Sequence, residues 1–110
     1  MSREELKNEI IEDLTVELKK ETDFDEELLT NKVKSAIREV IRARRYPSYY
    51  DEKTIDADLE FFYSNIRNIA LYDYNQIGSE GQSEHLENET RRTYVSRNSL
   101  FYGILPLSHI

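Results

Sequence analysis

Residues 52–78 read EKTIDADLEFFYSNIRNIALYDYNQIG, and their spacing decides the fold. Ile55, Leu59, Phe62, Ile66, Ile69, Ala70 and Ile77 recur at helical intervals. At about 100° per residue they line one face of a helix. Asp51 stands where an N-cap is needed and Gly78 where a helix stops, so the spacing predicts one helix over about 52–77. Its other sides are not polar. Phe61 and Tyr72 lie on one flank of the stripe, Tyr63 and Tyr74 on the other, and Leu71 points nearly backwards. A helix that is apolar or aromatic almost all round is usually surrounded. The chain has 110 residues and 38% hydrophobic content, a figure that includes eight tyrosines. One copy lacks the apolar material to surround this helix, so neighbouring subunits are expected to supply the rest.

Working back from Asp51, Tyr46-Pro47-Ser48-Tyr49-Tyr50 is a short turn, since Pro47 forces the chain out of helix. A second helix is predicted over about 25–45. Its stripe is Leu29, Val33, Ala36, Ile37, Val40 and Ile41, with Lys34, Arg38, Arg42 and Arg45 on the opposite side. Asp23 or Asp25 caps it. A first helix is predicted over about 3–20, with Leu6, Ile10, Leu14 and Leu18 recurring every four residues. Glu4 and Glu5 suit its first turn and Lys19 and Lys20 its last, as the helix dipole prefers. Working forward, residues 78–93 have no apolar period and read as a long polar loop. Residues 94–110 form an irregular C-terminal arm, with one or two helical turns through Phe101 capped by Ser96. The apolar tail from Ile104 to Ile110 must dock on its own domain or on a partner. The fold class is all-α: one domain over 1–110, a bundle of three main helices with the loop and arm appended.

Composition removes several classes of function. No run of about 18 apolar residues exists, so no membrane span is expected. No secretory leader is read at the start. The chain has no cysteine, hence no disulfide or thiolate metal site. A net charge of −7 argues against a dedicated nucleic-acid binder. The charge is unevenly spread: residues 1–27 hold eleven acids and four bases, residues 32–45 six bases and one acid. Such blocks are either solvated faces or a self-association code in which one copy's acids meet another's bases.

No chemistry-bearing motif emerges. Gly78 and Gly81 follow a helix, whereas a phosphate loop precedes one. The histidines are His85 and His109, and Glu84, His85 and Glu87 read as a solvated loop more readily than a cation site. No Gly-x-Ser-x-Gly elbow is present. Asn88-Glu89-Thr90 fits a glycosylation acceptor and reads as chance. No enzyme activity, metal or cofactor is expected. The face of Lys34, Arg38, Arg42 and Arg45 has three readings: a solvated helix face, ion pairing across a subunit or partner interface, or nucleic-acid contact. Asp73 breaks its stripe, in line with Ile55 and Ile66. It either sits at a solvated end of the stripe or pairs with a cation that pins the following loop, for which Arg91 and Arg92 are the candidates.

The stretches Ala36-Ile37-Arg38-Glu39-Val40 through Arg45-Tyr46-Pro47 and Tyr63-Ser64-Asn65-Ile66-Arg67-Asn68-Ile69-Ala70-Leu71-Tyr72-Asp73-Tyr74-Asn75-Gln76-Ile77-Gly78 resemble the head–tail connector (adaptor) proteins of tailed bacteriophages, often labelled DNA-packaging proteins. Glu80-Gly81 and the ending Tyr94-Val95-Ser96-Arg97, Leu100-Phe101 and Gly103-Ile104-Leu105-Pro106 are similar too, so the resemblance covers about residues 24–107. It implies a small helical protein that assembles as a ring, typically of twelve copies, beneath the portal protein at the capsid vertex. The ring extends the DNA channel, helps retain packaged DNA and offers a platform to the next connector or tail-completion protein. It implies location in the virion, with the host cytoplasm before assembly, and no catalysis.

On this reading Phe61, Tyr63, Leu71, Tyr72 and Tyr74 are expected between helices or subunits. Lys34, Arg38, Arg42 and Arg45 are expected against acids of a neighbour. The loop with Arg91 and Arg92, and the tail with Leu105 and Leu107, are expected on the portal or an adjacent copy. Asp51, Asp73 and Gly78 are structural. The acidic surplus suits a channel through which DNA slides without specific binding. The alternative is a small helical regulator that binds nucleic acid or a protein through the arginine-rich face of the second helix.

Overall fold

A computed structural model of the chain describes residues 1–78 and 97–107. The fold is all-α, with four helices and no strand among the described residues. Helix α1 spans Arg3–Leu18 and starts with a capping box. The Ser2 hydroxyl accepts from the Glu5 amide at 3.1 Å and the Glu5 carboxylate from the Ser2 amide at 2.8 Å. Hydrogen bonds to its carboxylate, from the Ser2 backbone amide first and the Ser2 side chain second, hold the Glu5 carboxyl below its usual value. Leu6, Ile10, Leu14 and Leu18 are all buried, which confirms the predicted stripe. The helix ends at Leu18, so Lys19 and Lys20 lie beyond its last turn.

Helix α2 spans Glu26–Arg44, and the capping residue is Asp25, whose side chain accepts from the Leu28 amide at 3.1 Å. Leu29, Val33, Ala36, Ile37 and Val40 are buried. The helix closes on Arg45, which takes the left-handed conformation at φ 51° before Pro47.

The predicted third helix is two helices. Helix α3 spans Glu52–Glu60, capped by Asp51, and helix α4 spans Tyr63–Gly78. At the break the amides of Phe61 and Phe62 donate to carbonyls three residues back, those of Asp58 and Leu59, at 3.1 and 2.9 Å. That tight turn redirects the chain. A straight rod of about 39 Å would outrun α2, at about 28 Å. Broken, the chain lets α3 lie against the start of α1 while α4 packs along α2 and α1.

The core joins the inward stripes of α1, α2 and α4 with Leu59 and Ile104. Ile66, Ile69 and Ala70 are fully buried and Tyr74 nearly so. The chain buries the inward stripe of α4 and Tyr74 by itself, while Tyr63, Leu71 and Tyr72 are half-buried and Phe61, at the break, stays exposed. A short 3₁₀ helix, Arg97–Phe101, and the segment after it close over α4, with Leu100 and Phe101 against the core. The residues of the predicted loop beyond Gly78, Ser96 and the last three residues lie outside the described residues, as does the Ile77 side chain. No described helix is long and apolar enough to cross a membrane.

Candidate subunit interface

The polar fastenings of the bundle decide which charges remain at its surface. Arg97 reaches from the 3₁₀ helix to two helices at once. Its guanidinium donates to Asp73 on α4 at 2.8 and 2.7 Å and to Glu39 on α2 at 3.1 and 2.7 Å. These bonds, those to Asp73 foremost, raise its pKa beyond the ordinary arginine value. The charge-pair reading of Asp73 holds, but the cation is Arg97; Arg91 and Arg92 lie outside the described residues.

A second network ties the end of α2 to α3. Arg44 donates to both carboxylate oxygens of Asp58 at 2.8 and 2.9 Å, and the Tyr46 hydroxyl donates to the same carboxylate at 2.7 Å. Burial first, and this acceptor carboxylate second, push the Tyr46 phenol well above its ordinary range. Arg44 also donates to the Leu105 carbonyl at 2.7 Å, and its own carbonyl accepts from the Leu107 amide at 2.6 Å. Sequence reading missed this network, though a signal was there. Arg44 falls on the apolar stripe of α2 in line with Val33 and Val40, and Asp58 on that of α3 beside Ile55. A charge on a core-facing stripe requires a partner.

The α1–α4 seam is fastened by Arg67, which pairs with Asp13 at 2.9 Å and with Glu17. The Tyr63 hydroxyl donates to Asp13 at 3.2 Å. Arg3 joins α1 to Glu52 and Asp56 of α3. Of the two charge blocks, Asp13 and Glu17 in the acidic one and Arg44 in the basic one are thus discharged inside one copy.

The predicted interface residues separate accordingly. Tyr74 is consumed internally, with its hydroxyl accepting from the Asp25 amide at 3.0 Å, so it has nothing to offer a neighbour. Tyr63, Leu71 and Tyr72 are half-buried, and Tyr63 and Leu71 pack on the chain's own core. Phe61 is 84% exposed, the outward residue of the α3–α4 break. On the arm Tyr102 is 88% and Leu105 67% exposed; the Leu105 carbonyl accepts from Arg44, which holds Asp58 just before Phe61, and the Tyr102 carbonyl accepts from Asn65 one helical turn after it. The arm is placed there by the Arg44 contacts and by Asn65, whose amide donates to the carbonyls of Leu100 and Tyr102 at 2.8 and 3.2 Å. The tail thus docks on its own chain through backbone and Ile104, and presents Leu105 outward.

Lys34, Arg38 and Arg42 stand exposed on α2, and Arg45 is exposed at its cap. Among the described residues, Lys34, Arg38 and Arg42 make no ion pair. No group of acidic or histidine side chains among the described residues is arranged to hold a metal; Glu84, His85, Glu87 and His109 lie outside them. No family model, curated protein or solved structure matches the chain.

Proposed function

We propose that this chain is a structural subunit of a tailed-phage head–tail connector, which assembles in a ring beneath the portal, extends the DNA channel and joins capsid to tail. The observation that carries the reading is that Phe61, Tyr102 and Leu105 stand exposed where Arg44 and Asn65 tie the arm beside the α3–α4 break. Large aromatic and aliphatic side chains left in solvent by a chain that buries Leu6, Ile10, Leu59 and Ile66 completely mark a surface made to be covered. Its position suits an axial contact. This surface sits where α2 stops and the arm returns, so a ring of copies would present it as a repeated platform to the portal or to the next tail component.

Two further features support the reading. The resemblance of residues 24–107 runs through the elements that build this surface. The net charge of −7 suits a wall past which DNA moves without adhering. Electron microscopy of the protein mixed with portal rings of its phage tests the proposal. A ring of added density beneath the portal is expected, and it should be lost with Phe61→Ser and Leu105→Ser. Absence of any portal-bound density for the unaltered protein would overturn the reading.

A further inference from the structure

We propose that the basic row Lys34, Arg38 and Arg42 of α2 docks on the acidic row Glu5, Glu9 and Glu12 of α1 in a second copy of the chain. The inference deepens the connector reading by naming the lateral contact between copies, and it rests on that reading only for its biological setting.

Both rows face solvent, and each lies on the side of its helix opposite the core. A single copy therefore cannot bring them together. Lys34, Arg38 and Arg42 succeed one another at four-residue intervals, with no carboxylate among the neighbours on that face; Glu39 is turned away to Arg97. Glu9 and Glu12 have no ion-pair partner among the described residues, and Glu5 is engaged only with its own cap at Ser2. Like charges three or four residues apart each destabilise a helix by about 0.2–0.5 kcal/mol. Both helices carry two such pairs in a chain that neutralises Arg3, Arg44, Arg67 and Arg97 with care.

The rows also match in length. At about 1.5 Å per residue, the bases span about 12 Å and the acids about 10.5 Å, within the reach of long side chains. The acidic row lines a shallow groove of about 360 Å³ with Met1 and Asn8. Met1 and Val16, 47% and 61% exposed, offer apolar contact to the stems of incoming arginines. A second copy satisfies both rows at once, whereas a nucleic acid would satisfy one and be repelled by the other. Two different patches joined head to tail generate a ring when the rotation closes.

The test uses the full chain and two double variants, Arg38→Glu with Arg42→Glu, and Glu9→Lys with Glu12→Lys, which leaves the Ser2–Glu5 cap intact. Circular dichroism first shows that both stay helical, as exposed substitutions should. Sedimentation velocity at low salt then compares each variant alone with their equimolar mixture. The expected result is weak or absent association of either variant alone and association about tenfold or more tighter in the mixture, weakening with added salt. A mixture that associates no better than its components overturns the proposal. So does a labelled DNA duplex that binds the unaltered chain and loses binding with Arg38→Glu and Arg42→Glu while the mixture stays dissociated, because nucleic acid is then the occupant. If the mixture associates and no portal binding is seen, the connector reading fails and this contact stands. If the unaltered chain binds portal and the mixture stays dissociated, the contact fails and the connector reading stands.

Discussion

Arg97 and Asp73 meet in a two-point hydrogen bond, Nε to Oδ1 at 2.8 Å and Nη2 to Oδ2 at 2.7 Å, that fixes the returning arm to α4. The same guanidinium holds Glu39, so one side chain binds three elements. Asp73 has 17% of its side chain exposed and Arg97 34%, so solvent screens the pair only in part.

Replacing Arg97 by Ala leaves two carboxylates without their cation. We expect a loss of about 1–2 kcal/mol in urea unfolding. Amide exchange should accelerate in residues 97–107 and much less in α1. Asp73→Asn should have a smaller effect in the same direction. Unchanged stability in both variants would show that the arm is held by Ile104 and the Asn65 contacts alone.

Tyr74→Phe removes the acceptor of the Asp25 amide at the start of α2. A loss of about 1 kcal/mol is expected, the cost of leaving a donor unsatisfied. Tyr74→Ala, which also opens a cavity beside Phe24, should cost about 3–5 kcal/mol. Chemical denaturation of the three proteins checks both values.

Ile66→Ala and Phe61→Ser separate folding from assembly. Ile66 is fully buried, and its truncation should cost about 2–5 kcal/mol. Phe61 stands in solvent, so Phe61→Ser should shift stability by no more than about 0.5 kcal/mol while weakening portal binding. Thermal melts and portal pull-down measure the two effects on the same samples.

The pH dependence has a definite sign at each end. Tyr46 has a raised folded-state pKa, so its stabilisation is complete below the ordinary tyrosine value of about 10 and is lost as pH rises above it. Tyr46→Phe should flatten the alkaline limb, and the ultraviolet phenolate titration of the native protein should show Tyr46 and Tyr63 lagging. Glu5 and Asp51 have lowered folded-state pKa values. The Asp51 carboxylate accepts from the Thr54 side chain and amide. Their contribution is present above about pH 4 and is lost as pH falls through the folded values. Unfolding midpoints measured across pH should fall at both extremes.

The helices, their caps and their inward faces were legible because each is written in neighbouring residues. Asp51 precedes an apolar period, Asp25 stands before the Leu29 stripe, and Leu6 to Leu18 repeat every four residues. The break at Phe61 was not legible. Leu59, Phe62 and Ile66 keep the helical period across it, and no glycine or proline marks it. The break follows from α3 lying on α1 while α4 runs along α2, which no local signal records. Arg97 was not legible as a partner of Asp73 for a similar reason: it lies 24 residues away, beyond the segment 79–96.

The amino-acid sequence by itself determined an all-α chain, where most helices begin and which faces turn inward, because capping and amphipathic periodicity are local. Only the tertiary structure decided which charges are spent inside the molecule and which remain outside. Arg44 and Arg97 are discharged against Asp58, Asp73 and Glu39, while Lys34, Arg38 and Arg42 face solvent. Residue type cannot tell these arginines apart. Their difference lies in which element the folded chain brings within hydrogen-bonding distance.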